Sequence, residues 1–177
     1  MPQQRNTRFQ LLPLAVSLAV IVADRVSKLS IQRSVTPMDS ISIFSGWLRI
    51  IHTENPGGAF GVLAEGNAAL RTIVLIGVAA LVLVFVIRAL WGHNSSFNTS
   101  ITRFGLALIL GGAIGNLYDR VIHGTVTDFI EVYHGSWSFP AFNVADSAIT
   151  IGAILLMLDF LRPQRRRVEE QARLAHK

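Results

Sequence analysis

Three aspartates stand in or beside strongly apolar sequence: Asp119 in Gly111-Gly-Ala-Ile-Gly-Asn-Leu-Tyr-Asp-Arg120, Asp128 in Val126-Thr-Asp-Phe-Ile130, and Asp146 in Phe142-Asn-Val-Ala-Asp146. Ionisable groups are costly in lipid, so each is a candidate for chemistry. Two carboxylates held close together cannot both ionise easily. One keeps a proton, and the pair can then act as base and acid around a single water. Spacing alone leaves open which two of the three would form such a pair. Two of them also have a plainer role: Asp119 in a salt bridge with a helix-end arginine, and Asp146 near the positive end of a helix that Asn143 caps.

Other polar groups gather near these acids. Asp24 and Lys28 are four residues apart on one helix face, as a neutralising pair or a prop for a site. Asn55-Pro-Gly-Gly-Ala-Phe60 is a turn signal, and glycines such as Gly57 allow close backbone approach to a ligand. The glycines from Gly111 to Gly115 suit close helix packing. Packing does not explain Asn116, Asp119 and Arg120, which need partners at a helix end.

Several chemistries are excluded. The chain of 177 residues has no cysteine, so neither disulfides nor thiolate catalysis are open to it. No His-Glu-x-x-His metal site occurs, and Glu131 with His134 forms a single Glu-x-x-His where a di-iron bundle needs two. A phosphate-binding glycine loop, a Gly-x-Ser-x-Gly elbow and a Gly-x-Gly-Asp signature are likewise absent. Lys28, paired with Asp24, would stay protonated and make a poor general base, which argues against a Ser-Lys protease.

The elements that position these residues are apolar helices. Half of the sequence (51%) is hydrophobic, 15% is charged, and the mean hydropathy is +0.46. Soluble domains run at about 25% charged. Four apolar segments, about 11–31, 68–91, 104–122 and 143–161, can each supply the roughly 20 residues that cross a bilayer as helix. The first continues past Asp24 and Lys28 with no small-residue cleavage pattern close behind, so a retained span is expected rather than a signal peptide. The net charge of +5 sits mostly at the ends of apolar runs, as in Arg162, Arg165, Arg166 and Arg167, which points to lipid head groups and topology rather than nucleic acid. With Arg5, Arg8, Arg88, Arg103, the tail cluster and Arg173 on one side, both termini are expected in the cytoplasm. The outer loops are then 33–70 and 123–142. In the first, Ile41-Ser-Ile-Phe44 and Trp47-Leu-Arg-Ile-Ile51 read as short strands of a sheet at the membrane surface. Residues 1–177 form one domain, ending in a polar cytoplasmic tail, 162–177, that is expected to be a frayed helix.

Five motifs in order, Asp24-Arg-Val-Ser-Lys28, Asn55-Pro-Gly-Gly-Ala-Phe60, Gly111 to Arg120, Val126-Thr-Asp-Phe129 and Phe142-Asn-Val-Ala-Asp146, closely resemble those of the lipoprotein signal peptidase (signal peptidase II) family. The resemblance spans essentially the whole chain. It implies an all-α membrane protein, a four-transmembrane-helix bundle with a small extracytoplasmic β-cradle and a short surface helix. It assigns the catalytic dyad to Asp128 and Asp146, with Asp119 in support beside Arg120. Asp24, Lys28, Asn55, Gly57, Asn116 and Asn143 match positions that shape the site or hold substrate. The implied reaction is aspartyl proteolysis of a diacylglyceryl-modified prolipoprotein just before its lipidated cysteine, with no metal or organic cofactor. The implied setting is a monomer in the bacterial inner membrane, among membrane lipids, with the site near the outer surface. Cyclic peptide antibiotics of the globomycin type are the implied inhibitors. The rival reading, a small proton-coupled transporter, explains the intramembrane acids but not the asymmetric outer loops, and it expects repeats that the sequence lacks.

Overall fold

The computed structural model describes residues 7–57, 67–92, 99–162 and 171–175. Four long helices carry the chain: α1 (Thr7–Ser34), α2 (Ala68–Trp91), α3 (Ser100–His123) and α4 (Val144–Phe160). A four-stranded antiparallel sheet in the order β1-β2-β3-β4 is built from β1 (Ser40–Phe44), β2 (Leu48–Asn55), β3 (Val126–His134) and β4 (Trp137–Ser138).

The helices begin where the sequence supplies caps. Asn67 accepts from Ala69 N at 2.9 Å at the start of α2, and Thr99 accepts from Thr102 N at 3.1 Å at the start of α3. Gly124 ends α3 in the left-handed conformation, φ 76°, which a glycine adopts without strain.

Helix α3 lies at the centre and packs against the other three. Its small residues make this possible. A Cβ at Gly111 would lie 2.7 Å from the Ser17 carbonyl oxygen, and one at Gly115 would lie 2.7 Å from Asp24 Oδ2, so neither position has room for a side chain. The Ser17 hydroxyl lies 2.9 Å from the carbonyl oxygens of Pro13 and of Ala107, tying α1 to α3. Val86, Ala89, Leu90, Leu106 and Leu110 form the apolar core between α2 and α3. By contrast most of α2 is exposed, including Ile73, Leu81 and Phe85. Exposed apolar surface on that scale has lipid as its natural solvent.

Helices α2 and α3 are each long and apolar enough to cross a membrane, with mean hydropathies of 2.9 and 1.3 over their most apolar stretches. Helix α1 is 28 residues long but carries Asp24, Arg25 and Lys28, and α4 is 17 residues long. The expected second span matches α2 residue for residue. Helices α1 and α3 extend beyond the expected bounds, and Asn143 caps α4, as its place before the helix suggested.

The two strands expected in the first outer loop appear as β1 and β2. The second outer loop adds β3, where the sequence suggested only a motif around Asp128. The described residues of the outer loops contain no short helix; Gly58, Ala59 and Phe60 of the turn motif lie outside the described residues. Of the tail, 171–175 is helical and 163–170 lies outside the described residues.

Candidate active site

Backbone pairing brings two of the three aspartates together. Phe142 bridges to Ile130: Ile130 N donates to Phe142 O at 2.8 Å, and Phe142 N donates to Ile130 O at 3.0 Å. The residue two places past Asp128 is thereby bonded to the residue just before Asn143. Asp128 on β3 and Asp146 in the first turn of α4 then face the same asparagine.

Asn143 is fully buried and touches both carboxylates. Its Nδ2 donates to Asp128 Oδ1 at 2.7 Å, and its backbone N donates to Asp146 Oδ2 at 3.3 Å. Its Oδ1 accepts from Asp146 N at 2.9 Å, closing a reciprocal cap at the start of α4. The other oxygen of each acid has its own amide. Asn55 Nδ2 donates to Asp128 Oδ2 at 2.8 Å, and Asn116 Nδ2 donates to Asp146 Oδ1 at 2.7 Å.

Asn55 is aimed by the turn behind it. Gly57, at φ 94°, donates its backbone N–H to Asn55 Oδ1 at 2.8 Å, which leaves the amide NH2 pointing at Asp128. In the β2–β3 register, Asn55 stands opposite Val126, so Asn55 and Asp128 share one face of the sheet.

The two acids differ in environment. Asp128 is buried, whereas Asp146 is half-buried. Burial pushes the Asp128 carboxyl from 3.8 up to about 6, and the charge of Asp146 adds to that rise; the bonds from Asn55 and Asn143 oppose it. A buried carboxyl raised towards neutrality beside a more open one is a workable acid–base pair.

A second layer of buried charges stands behind the pair. Lys28 Nζ lies 2.7 Å from Asp24 Oδ2, 2.7 Å from Asp119 Oδ2 and 3.2 Å from Asn116 Oδ1. Arg25 donates to Asp119 Oδ1 at 2.6 Å, with its guanidinium 4.6 Å from the Tyr118 ring centre. Asp24 Oδ1 accepts from Ala145 N at 3.0 Å, adding a second acceptor to the start of α4. Two acids and two bases balance, and through Asn116 and Ala145 they hold Asp146 in place.

The pairing expected between Asp119 and Arg120 is corrected here. Neighbours on a helix point about 100° apart; Asp119 faces α1 and pairs with Arg25 and Lys28. Arg120 instead lies within the electrostatic reach of Asp146 and Asp128, and its NH1 lies 3.4 Å from Asn116 O.

All ten expected site residues fall in this region: Asp128, Asp146, Asn143, Asn55 and Gly57 directly, Asn116, Asp24, Lys28, Asp119 and Arg120 around them. Arg25 was not expected. Its signal was available, since it lies three residues before Lys28 on the same helix face. Among the described residues no group of three or more His, Cys, Asp and Glu is arranged to hold a metal ion.

The chain is similar to known proteins in sequence and in fold. Residues 16–162 match the family model described as signal peptidase (SPase) II. A lipoprotein signal peptidase of Solibacter usitatus is 39% identical over 150 residues, 85% of this chain and 90% of that protein. One from Cupriavidus taiwanensis is 39% identical over 170 residues, 93% and 94% of the two chains. Two solved structures, each described as a bacterial membrane enzyme, superpose with a TM-score of 0.74. Their identities are 28% and 27%; both cover 85% of this chain, and it covers 93% and 87% of theirs.

Proposed function

Because this chain belongs to the signal peptidase (SPase) II family of membrane enzymes, we propose that it removes signal peptides from prolipoproteins with Asp128 and Asp146 as its catalytic dyad. The observation that carries this reading is the single asparagine, Asn143, hydrogen-bonded to both carboxylates.

The substrate is a prolipoprotein whose cysteine already bears diacylglycerol, and the bond cut is the one just before that cysteine. Asp146, the more open acid, takes a proton from the attacking water. Asp128, protonated, donates its hydrogen to the scissile carbonyl oxygen as negative charge develops there. The tetrahedral diol then collapses: a proton passes to the leaving nitrogen, the C–N bond breaks, and the dyad is left with one proton, ready for the next water. Asn55, Asn116 and Asn143 keep the two carboxylates oriented, and Arg120 contributes positive charge beside them.

In this reading all four helices cross the inner membrane, both termini are cytoplasmic, and residues 1–177 act as one domain and as a monomer. The dyad lies at the outer interface, where acyl chains of the substrate stay in lipid while the peptide bond meets water. Cyclic peptides of the globomycin type would compete for the same cleft. The arginines of the tail and of the Arg88–Arg103 loop support the orientation.

The test is gel-shift cleavage of a diacylglyceryl precursor by the purified protein. Cleavage should require the lipid and should stop in Asp128→Asn; equal cleavage of an unlipidated precursor would refute the substrate. For topology, cysteines at Ser45 and Ser136 should react with an impermeant thiol reagent in spheroplasts, while one at Ser96, outside the described residues, should not. Labelling at Ser96 alone would invert the model.

A further inference from the structure

The face of the β2–β3 pair turned away from the dyad carries another polar cluster. Glu54 stands opposite Thr127 in the register, so their side chains share a face, and Thr125, two residues earlier on β3, shares it too. Thr127 Oγ1 donates to Glu54 Oε1 at 2.8 Å, and Thr125 Oγ1 donates to Oε2 at 2.6 Å, so each carboxylate oxygen holds one β3 hydroxyl. From the end of α1, Gln32 Nε2 donates to Thr127 Oγ1 at 2.7 Å. His52 Nε2 lies 3.3 Å from Glu54 Oε1, and its Nδ1 lies 2.8 Å from Val35 O.

Burial alone would raise the Glu54 carboxyl; the bonds from Thr125, Thr127 and His52 outweigh it and hold the group below its usual range. Glu54 therefore remains an ionised acceptor at neutral pH. None of these groups touches the dyad or has a part in the cleavage steps.

Their placement matters because of what lies on the next residue. Asp128 follows Thr127 directly, and Asn55 follows Glu54. The β2–β3 pairing also changes register between Ile50 and Thr53, only a few residues away. A slip of one residue in this pairing would turn Asp128 to the opposite face, so the dyad depends on the register being held here. We propose that Glu54 is a positioning residue for the dyad: by holding the hydroxyls of Thr125 and Thr127, it fixes the segment of β3 that presents Asp128 to Asn55 and Asn143. This rests on the reading of Asp128 as a dyad member.

The experiment compares full-length wild type, Glu54→Leu, Glu54→Gln and Asp128→Asn in the precursor-cleavage assay across pH. Leucine has no acceptor, so β3 loosens and the bonds from Asn55 and Asn143 to Asp128 lengthen. The kcat of Glu54→Leu should fall roughly tenfold with KM nearly unchanged, as expected for a small misplacement of a reacting group. Its pH profile should shift upward, because those amide bonds favour the ionised carboxylate. Glu54→Gln keeps one acceptor oxygen and should recover most of the rate. If Glu54→Leu does not yield monodisperse protein, Thr127→Val should show the same upward shift with a smaller loss, about threefold. Wild-type kcat and pH profile in Glu54→Leu, beside an inactive Asp128→Asn, would overturn the role of Glu54 alone. An equal loss at every pH that tracks the loss of folded protein would do the same. Normal turnover by Asp128→Asn would overturn the dyad itself.

Discussion

The bundle has buried carboxylates towards each end, and we propose chemistry for only one of the two places. At the end opposite the dyad, Asp159 accepts at Oδ2 from the hydroxyls of Thr99 and Thr102, both at 2.6 Å, and Arg162 lies 3.8 Å from its other oxygen. Thr99 is also the cap of α3, and Arg103 nearby donates to Leu90 O at 2.8 Å. That cluster joins the ends of α2, α3 and α4, and its acid has short hydroxyl donors and a cation. At the dyad end, two acids share Asn143 and each has one further amide donor, Asn55 or Asn116, while the cations Lys28 and Arg25 are paired with Asp24 and Asp119. A buried acid surrounded by its own donors ties helices together. A buried acid raised to about 6 by burial and a neighbouring acid can take up and give up a proton near neutral pH.

The sharpest way to break this contrast is to remove the charge that supports the dyad. Lys28→Ala leaves both Asp24 and Asp119 without their shared cation, where loss of a buried partner costs about 3–5 kcal/mol. Folded yield and thermal stability in detergent should drop sharply, and activity with them. A variant that expresses, melts and cleaves like wild type would show the layer behind the dyad to be idle.

A pH titration of stability gives an intermediate effect. The folded Asp128 carboxyl is raised from 3.8 to about 6, so the folded state binds the extra proton between those values. The contribution is fully present below about pH 4 and is lost as pH rises through about 6. Wild type should lose stability across this window relative to Asp128→Asn, which has no such proton to lose. Parallel stability curves for the two proteins would mean that Asp128 is not held in its protonated form.

The smallest effect belongs to the opposite end. Thr102→Val removes one hydroxyl from Asp159 and should cost about 1–2 kcal/mol of stability, while kcat and KM stay at wild-type values. A large loss of kcat at constant stability would mean that the two clusters are coupled and the contrast is false.

Much of this was legible in the residue pattern. The apolar run at 68–91 contains no charge between Arg71 and Arg88 and became α2 without adjustment. Asn143 stood three residues before Asp146 and its capping role was readable, whereas Asn55 and Asn116 reach Asp128 and Asp146 from distant segments that only the fold brings together. The partner of Asp119 was not legible, because sequence adjacency suggested Arg120 whereas helix geometry turns the two apart. Strand β3 was missed although Val126 to His134 partly alternates, since its apolar neighbours read as the surroundings of Asp128 rather than as one face of a sheet. Glu54 was invisible for the same reason: its importance comes from the register with Thr127, and register is a property of two segments more than 70 residues apart.

The central claim is that Asp128 and Asp146 act as one unit, and a double-mutant comparison tests it most directly. Turnover of the lipidated precursor is measured for monodisperse Asp128→Asn, Asp146→Asn, the double variant and Asp119→Asn. Both single dyad variants should fall by about a thousandfold or more, and the double variant should fall no further, because removing either half removes the mechanism. Asp119→Asn weakens its pairing with Arg25 and Lys28 and should retain measurable turnover. Substantial turnover by Asp128→Asn, with none by a well-folded Asp119→Asn, would contradict the account.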